Sequence, residues 1–230
     1  MQYEIMNAHF LTVFIVISAM LMTPMYVVCT YHFSGASTKK GVAIGSAFLV
    51  FGAFMTWVCL ARIPQALGPL GALIVPLCWV TPSLVLWIYR DWFLESPLSQ
   101  RWLLGLQVWR VIGGVFVIEY TRANIPAIFA FPAGFGDIAV GVLAAGVLLA
   151  YRFREQLPRW SIVAVLILGV LDFISAFFFG YFSSDGPAQL FFPEITNNTL
   201  MYPTGLIPLF LVPYAIFFHT LSYLSLKRQS

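Results

Sequence analysis

PAIFAFPAGFGDIAVGVLAAGVLLAY, residues Pro126–Tyr151, runs for 26 residues with a single charge, Asp137. At 1.5 Å per residue a helix needs about 20 apolar residues to cross a hydrocarbon core of about 30 Å. A helix this apolar on every side has no face to offer water, so the stretch reads as a membrane crossing rather than a surface helix. Six further runs of similar length read the same way: Phe10–Tyr31, Val42–Ala61, Leu67–Tyr89, Trp102–Tyr120, Trp160–Phe182 and Pro203–Leu226. Little chain is left between them. The 230 residues are 60% hydrophobic and 9% charged, where soluble domains hold about 45–50% and about 25%. The expected fold is therefore all-α, a polytopic membrane helical bundle of seven transmembrane helices forming one transmembrane domain over residues 1–230.

The basic residues between the runs alternate by side. Nine of them (Lys39, Lys40, Arg90, Arg101, Arg152, Arg154, Arg159, Lys227 and Arg228) share a side with the C-terminus, against Arg62 and Arg122 on the other. The positive-inside bias then places the C-terminus in the cytoplasm and, with an odd number of crossings, the N-terminus outside. Met1–Phe10 contains no Lys or Arg and precedes a long apolar run, so a cleaved leader is not expected. Basic residues scattered between spans form no patch for nucleic acid. The expected partners are the lipid bilayer and either another membrane protein or a second copy of the chain. Cys29, Cys59 and Cys78 lie inside apolar runs without ligand spacing and read as packing residues.

Charges within the runs carry the functional argument, because a charged side chain near the bilayer centre costs at least ~2.5–3.5 kcal/mol and seeks a partner or a wet cavity. Arg110, Asp137 and Asp172 occupy the fourth, fifth and sixth runs, and His219 the seventh. Arg110 sits roughly 13 Å along its helix from Arg101, and Asp137 roughly 21 Å along its own from Tyr151. The short Arg122–Ile125 turn makes these two helices antiparallel neighbours. An Arg110–Asp137 ion pair is the leading expected contact. Gln107 and Gly114 share the face of Arg110 by three- and four-residue spacing. Asp172 has no obvious fixed cation and is expected to take up and release a proton. Arg62, Glu119 and Arg122, near the outer boundary, are expected to snorkel.

Pro132, Gly134 and Gly136 precede Asp137 within the fifth run. Proline removes a backbone donor and glycine weakens a helix, so a break is expected over Pro132–Asp137, walling a binding site. The polar connection Ser183–Tyr202 reads first as a plain linker, with capping of an outward-facing cavity as the alternative. Leu70–Trp87 and Gly205–Ser222 echo each other faintly as Pro-interrupted segments.

No H-E-x-x-H, G-x-S-x-G, Walker loop or C-x-x-C occurs. No Lys lies in a span to hold retinal, and His32 and His219 have no spacing that supports haem. No catalytic residue, metal or cofactor is assigned. Gln107-x-x-Arg110, the Pro-Ala-Gly-Phe-Gly-Asp run at 132–137 and the Pro-x-x-x-x-Pro ending at Pro213 before His219 together resemble a group of small bacterial multi-pass membrane proteins with no assigned activity. The resemblance covers about the second half of the chain and implies a bacterial inner membrane. Three functions compete: a proton-coupled transporter or channel centred on Gln107, Arg110, Asp137, Asp172 and His219; a non-catalytic subunit; and an intramembrane enzyme acting on a lipid or quinone through Asp137 and Asp172.

Overall fold

The computed structural model describes residues 10–186 and 188–228, the side chain of Pro69 aside. The reading of Met1–Phe10 as an uncleaved segment falls almost wholly outside them. Among the described residues there is no strand, and seven helices are long and apolar enough to cross a membrane. They are α1 (Phe10–Phe33), α2 (Thr38–Leu60), α3 (Leu70–Ile88), α4 (Gln100–Thr121), α5 (Ala127–Ala150), α6 (Arg159–Phe182) and α7 (Ile207–Arg228). Each matches an expected run to within a few residues, because the bilayer requires the same apolar length wherever a helix crosses.

Burial is distributed unevenly. In α7, 78% of the apolar stretch is buried, against 17% in α3. So α7 is the central post of the bundle and α3 lies at its periphery. Phe48 of α2 holds its ring against Phe210, Tyr214, Phe217 and Phe218 of α7. The hairpin α1–α2 closes on small residues, where a Cβ on Gly45 would lie 2.9 Å from the Pro24 carbonyl oxygen. α3 and α7, the two segments with echoing sequences, pack against each other. Both begin irregularly, α3 on the 3₁₀ turns Gly68–Leu73 and α7 on the π turn Ile207–Leu211.

The break expected over Pro132–Asp137 does not occur: α5 is one α-helix from Ala127 to Ala150 with Pro132 inside it. Gly134 and Gly136 serve close packing instead. A Cβ at Gly134 would approach Val117 Cγ2 to 2.9 Å, and one at Gly136 would strike Asp172 Oδ1 at 1.8 Å. The helix irregular at its middle is α4, where Trp109–Gly113 narrows to a 3₁₀ helix around Arg110. Tightened turns of this kind mid-helix often mark functional or strained positions.

Glu119 does not snorkel either. It is 4% exposed, receives hydrogen bonds from Arg122 Nη1 at 2.8 Å and Asn124 Nδ2 at 2.7 Å, and is also bonded by the Thr12 hydroxyl. This network ties α1 to the α4–α5 turn. Its clue was the three-residue spacing of Glu119 and Arg122, which places opposite charges on one helix face.

Candidate functional site

The 3₁₀ segment of α4 delivers Arg110 to the middle of the bundle, where its side chain is fully buried. Nε donates to Asp137 Oδ1 of α5 at 2.7 Å. Nη2 donates to Asp172 Oδ2 of α6. The pairing with Asp137 is the one expected from the short turn. The pairing with Asp172 overturns the reading that this carboxylate has no fixed cation. One guanidinium bridges two carboxylates from neighbouring helices, and its planar fork is suited to that geometry.

Three glycines make the approach of α4, α5 and α6 close enough. A Cβ on Gly113 would lie 2.3 Å from Asp137 Cβ, and one on Gly169 would lie 2.5 Å from His219 Cε1. With the clash at Gly136 already noted, each helix of the triad gives up a side chain where a charged or imidazole neighbour sits. Phe173, one residue beyond Asp172, spreads its ring under the guanidinium with Arg110 Cζ 4.1 Å from its centroid. That cation–π contact occupies a face of the cation that no carboxylate reaches.

His219 approaches the centre without bonding to it. Its Nε2 lies 2.6 Å from the Leu166 carbonyl oxygen, and since a carbonyl only accepts, Nε2 carries a hydrogen and donates it. Nδ1 has no hydrogen-bond partner, and neither has Arg110 Nη1. The two atoms lie 3.2 and 3.0 Å from the point where a Cβ on Gly169 would sit. Gln107, one turn below Arg110, is 1% exposed, and both its amide oxygen and its amide nitrogen are unbonded. It shares the interior but not the ionic contact.

A cavity of about 60 Å³ open to water-sized molecules runs from Asp137 and Asp172 to the α6–α7 connection, where Ser184, Asn197 and Thr199 line it. On this measure ~10–15 Å³ is needed per water, so a few waters or a compact solute fit. The connection read first as a plain linker therefore forms the cavity's rim. Asn197 holds it in shape by donating to Ser183 Oγ at 2.9 Å, while its side-chain oxygen accepts from the Thr199 backbone amide at 3.2 Å. Arg110 and His219 do not line this cavity. Residues missed in the sequence were Phe173 and Gly113, while the small-residue stripe of Gly169 beside Asp172 was legible from its spacing. A glycine between apolar neighbours carries no signal of what passes it until the facing helix is placed.

A family model described as a domain of unknown function (DUF8737) matches residues 70–227. The chain belongs to this family. The DUF8737 region comprises α3 to α7 and so contains every member of the ionic centre and its cavity, while α1 and α2 lie outside it. No curated protein and no solved structure matches the chain.

Proposed function

We propose that the protein is a proton-coupled transporter or channel for a small solute in a bacterial inner membrane. The single observation that carries the reading is the charge balance of the buried centre. Arg110 supplies one positive charge and Asp137 and Asp172 two negative ones, in side chains that are 0%, 7% and 6% exposed. A buried excess charge in a membrane is too costly to leave bare, so the centre carries a proton or a cation that the cavity supplies. Asp172 is the exchanging group, and Arg110 is bonded to Asp137 beside it. The nine-to-two distribution of basic residues supports an outer N-terminus and a cytoplasmic C-terminus, so that the cavity opens outward.

The test is proton flux in proteoliposomes loaded with a pH-sensitive dye. Wild type is expected to dissipate an imposed gradient and Asp172→Asn to lose that flux. Equal flux in the two proteins would refute the proposal.

One observation keeps the enzyme reading in play: Asp137 and Asp172 line the same cavity, as an acid and base acting on one lipid or quinone would. Against it, one oxygen of each carboxylate is already taken by the same guanidinium, so neither is free to turn toward a substrate. Mass spectrometry of lipid and quinone extracts incubated with the purified protein separates the two, the transporter leaving every species unchanged.

A further inference from the structure

We propose that a second polar route enters the bundle at the end opposite the cavity and reaches the ionic centre through Gln100, Ser222 and His219, with His219 passing the proton between centre and route. The inference rests on the transport reading and supplies the half of the pathway that the cavity does not reach.

A vestibule of about 650 Å³ opens where α4 and α6 begin and α7 ends. The cavity at Asp137 and Asp172 is rimmed instead by the connection that follows α6, so the two lie at opposite ends of the bundle. The vestibule is polar, with Ser34, Ser99, Gln100, Arg101, Glu155 and Arg159 among its walls.

Gln100 is its way inward. The side chain is buried, donates to the Ser222 carbonyl at 3.0 Å and accepts from the Ser222 hydroxyl at 2.7 Å. On α4 the next turn carries Leu103 and Leu104, both apolar and buried, so the polar groups continue on α7 instead. One turn along α7 from Ser222, a rise of about 4.5 Å, stands His219. Its Nε2 hydrogen is held by the Leu166 carbonyl, which leaves Nδ1 as the ring atom free to exchange a proton. Nδ1 and Arg110 Nη1 lie 3.2 and 3.0 Å from one point over Gly169, and neither has a hydrogen-bond partner. Gln107, two turns along α4 from Gln100 on the same face, leaves both amide atoms unpaired as well. Buried polar groups that the protein leaves unpaired are where internal water binds, and here they cluster along α4 and α7 between vestibule and centre.

Charge decides that the route carries a proton. Among the described residues, the charged groups facing His219 are Arg110 from α4 and, bonded to it, Asp137 from α5 and Asp172 from α6. With the proton on Asp172, Arg110 balances Asp137. With the proton handed by water from the Asp172 carboxyl to Nδ1, imidazolium and guanidinium balance two carboxylates. The set is neutral either way, so the transfer leaves no net charge in the buried centre. Release from Nδ1 toward Ser222 and the vestibule restores the neutral ring as Asp172 reloads from the cavity.

The experiment joins three measurements on the full-length protein in liposomes. His219→Gln keeps a side-chain N–H for the Leu166 carbonyl but does not take up a proton, and is expected to lower proton flux by about tenfold or more. His219→Ala is expected to regain flux with added imidazole and not with pyrazole, its non-basic isostere, once protein-free liposomes are subtracted; a ring that only fills space would be replaced by either. Ser222→Cys is expected to react with a charged, membrane-impermeant methanethiosulfonate added at the vestibule face and not at the cavity face, wild-type labelling being subtracted. Equal flux in His219→Gln and wild type overturns the proposal, as does rescue by both azoles or by neither, and so does labelling of Ser222→Cys from the cavity face or from no face. Wild-type flux with any of these results sinks this inference and leaves the transport reading standing. Absence of wild-type flux sinks the transport reading, while labelling from the vestibule face still reports the route.

Discussion

Replacing Arg110 by Met removes the one cation between two buried carboxylates while keeping an unbranched apolar stem over Phe173. The loss comprises the 2.7 Å bond to Asp137, the bond to Asp172 and the contact with the Phe173 ring at 4.1 Å. Removing one partner of a buried pair costs about 3–5 kcal/mol, mostly because the other charge is left behind. Here two charges are left, at 7% and 6% exposure, so the upper end of that range is expected. At about 2–4 °C per kcal/mol for a chain of this size, a cost of about 3–5 kcal/mol lowers the melting temperature by about 6–20 °C. The chain carries its own reporter for the measurement. Cys59 and Cys78 are 2% and 7% exposed, so a thiol-reactive fluorophore labels them only as the bundle opens. The triple variant Arg110→Met, Asp137→Asn, Asp172→Asn removes the charge imbalance and is expected to recover most of the lost stability without recovering proton flux. A single variant that melts within about 2 °C of wild type, or a triple variant no more stable than the single one, refutes the reasoning.

Gly136→Ala places a methyl group 1.8 Å from Asp172 Oδ1, so either the carboxylate leaves Arg110 or α5 and α6 part; flux falls toward the Asp172→Asn level and stability drops by about 1–3 kcal/mol. Gly146→Ala on the same helix meets no atom within 4 Å and is expected to leave flux unchanged and stability equal or higher by up to about 1 kcal/mol. Glu119→Gln keeps the shape of the α1–α4 network but loses its charge opposite Arg122, 2.8 Å away, and should cost about 1–3 kcal/mol in the thiol-labelling melt. Trp79→Phe strands the Pro208 carbonyl in the π turn of α7 and should cost a similar ~1–3 kcal/mol, with no effect expected from a substitution at the exposed Trp57.

How much of this was legible in the sequence follows from what a linear pattern can carry. Seven helices long and apolar enough to cross were readable because every segment in a bilayer must meet the same length and polarity on its own, before any neighbour is considered. The Arg110–Asp137 pair was readable because a four-residue turn forces its two helices together, leaving depth as the only unknown. Asp172 was placed on the right helix and judged to be without a cation, since nothing in its own segment shows that α6 turns that face toward α4. Pro132 and two glycines suggested a broken α5. In the bundle the backbone continues, and the missing side chains admit Val117 and Asp172 instead.

The helix on which a charge lies is a property of one segment, and sequence determined it for Arg110, Asp137, Asp172 and His219. The order of helices around the bundle axis is a property of all seven at once. Lipid tails are as apolar as the side chains they compete with, so hydrophobicity cannot say which face looks inward; close packing decides, and it is set by small residues whose partners lie far away in the chain. Tertiary structure alone therefore made α7 the central post and brought α6 close to His219 of α7 at Gly169. It also brought one arginine to two carboxylates, 27 and 62 residues away, at the end of a cavity rimmed by the α6–α7 connection.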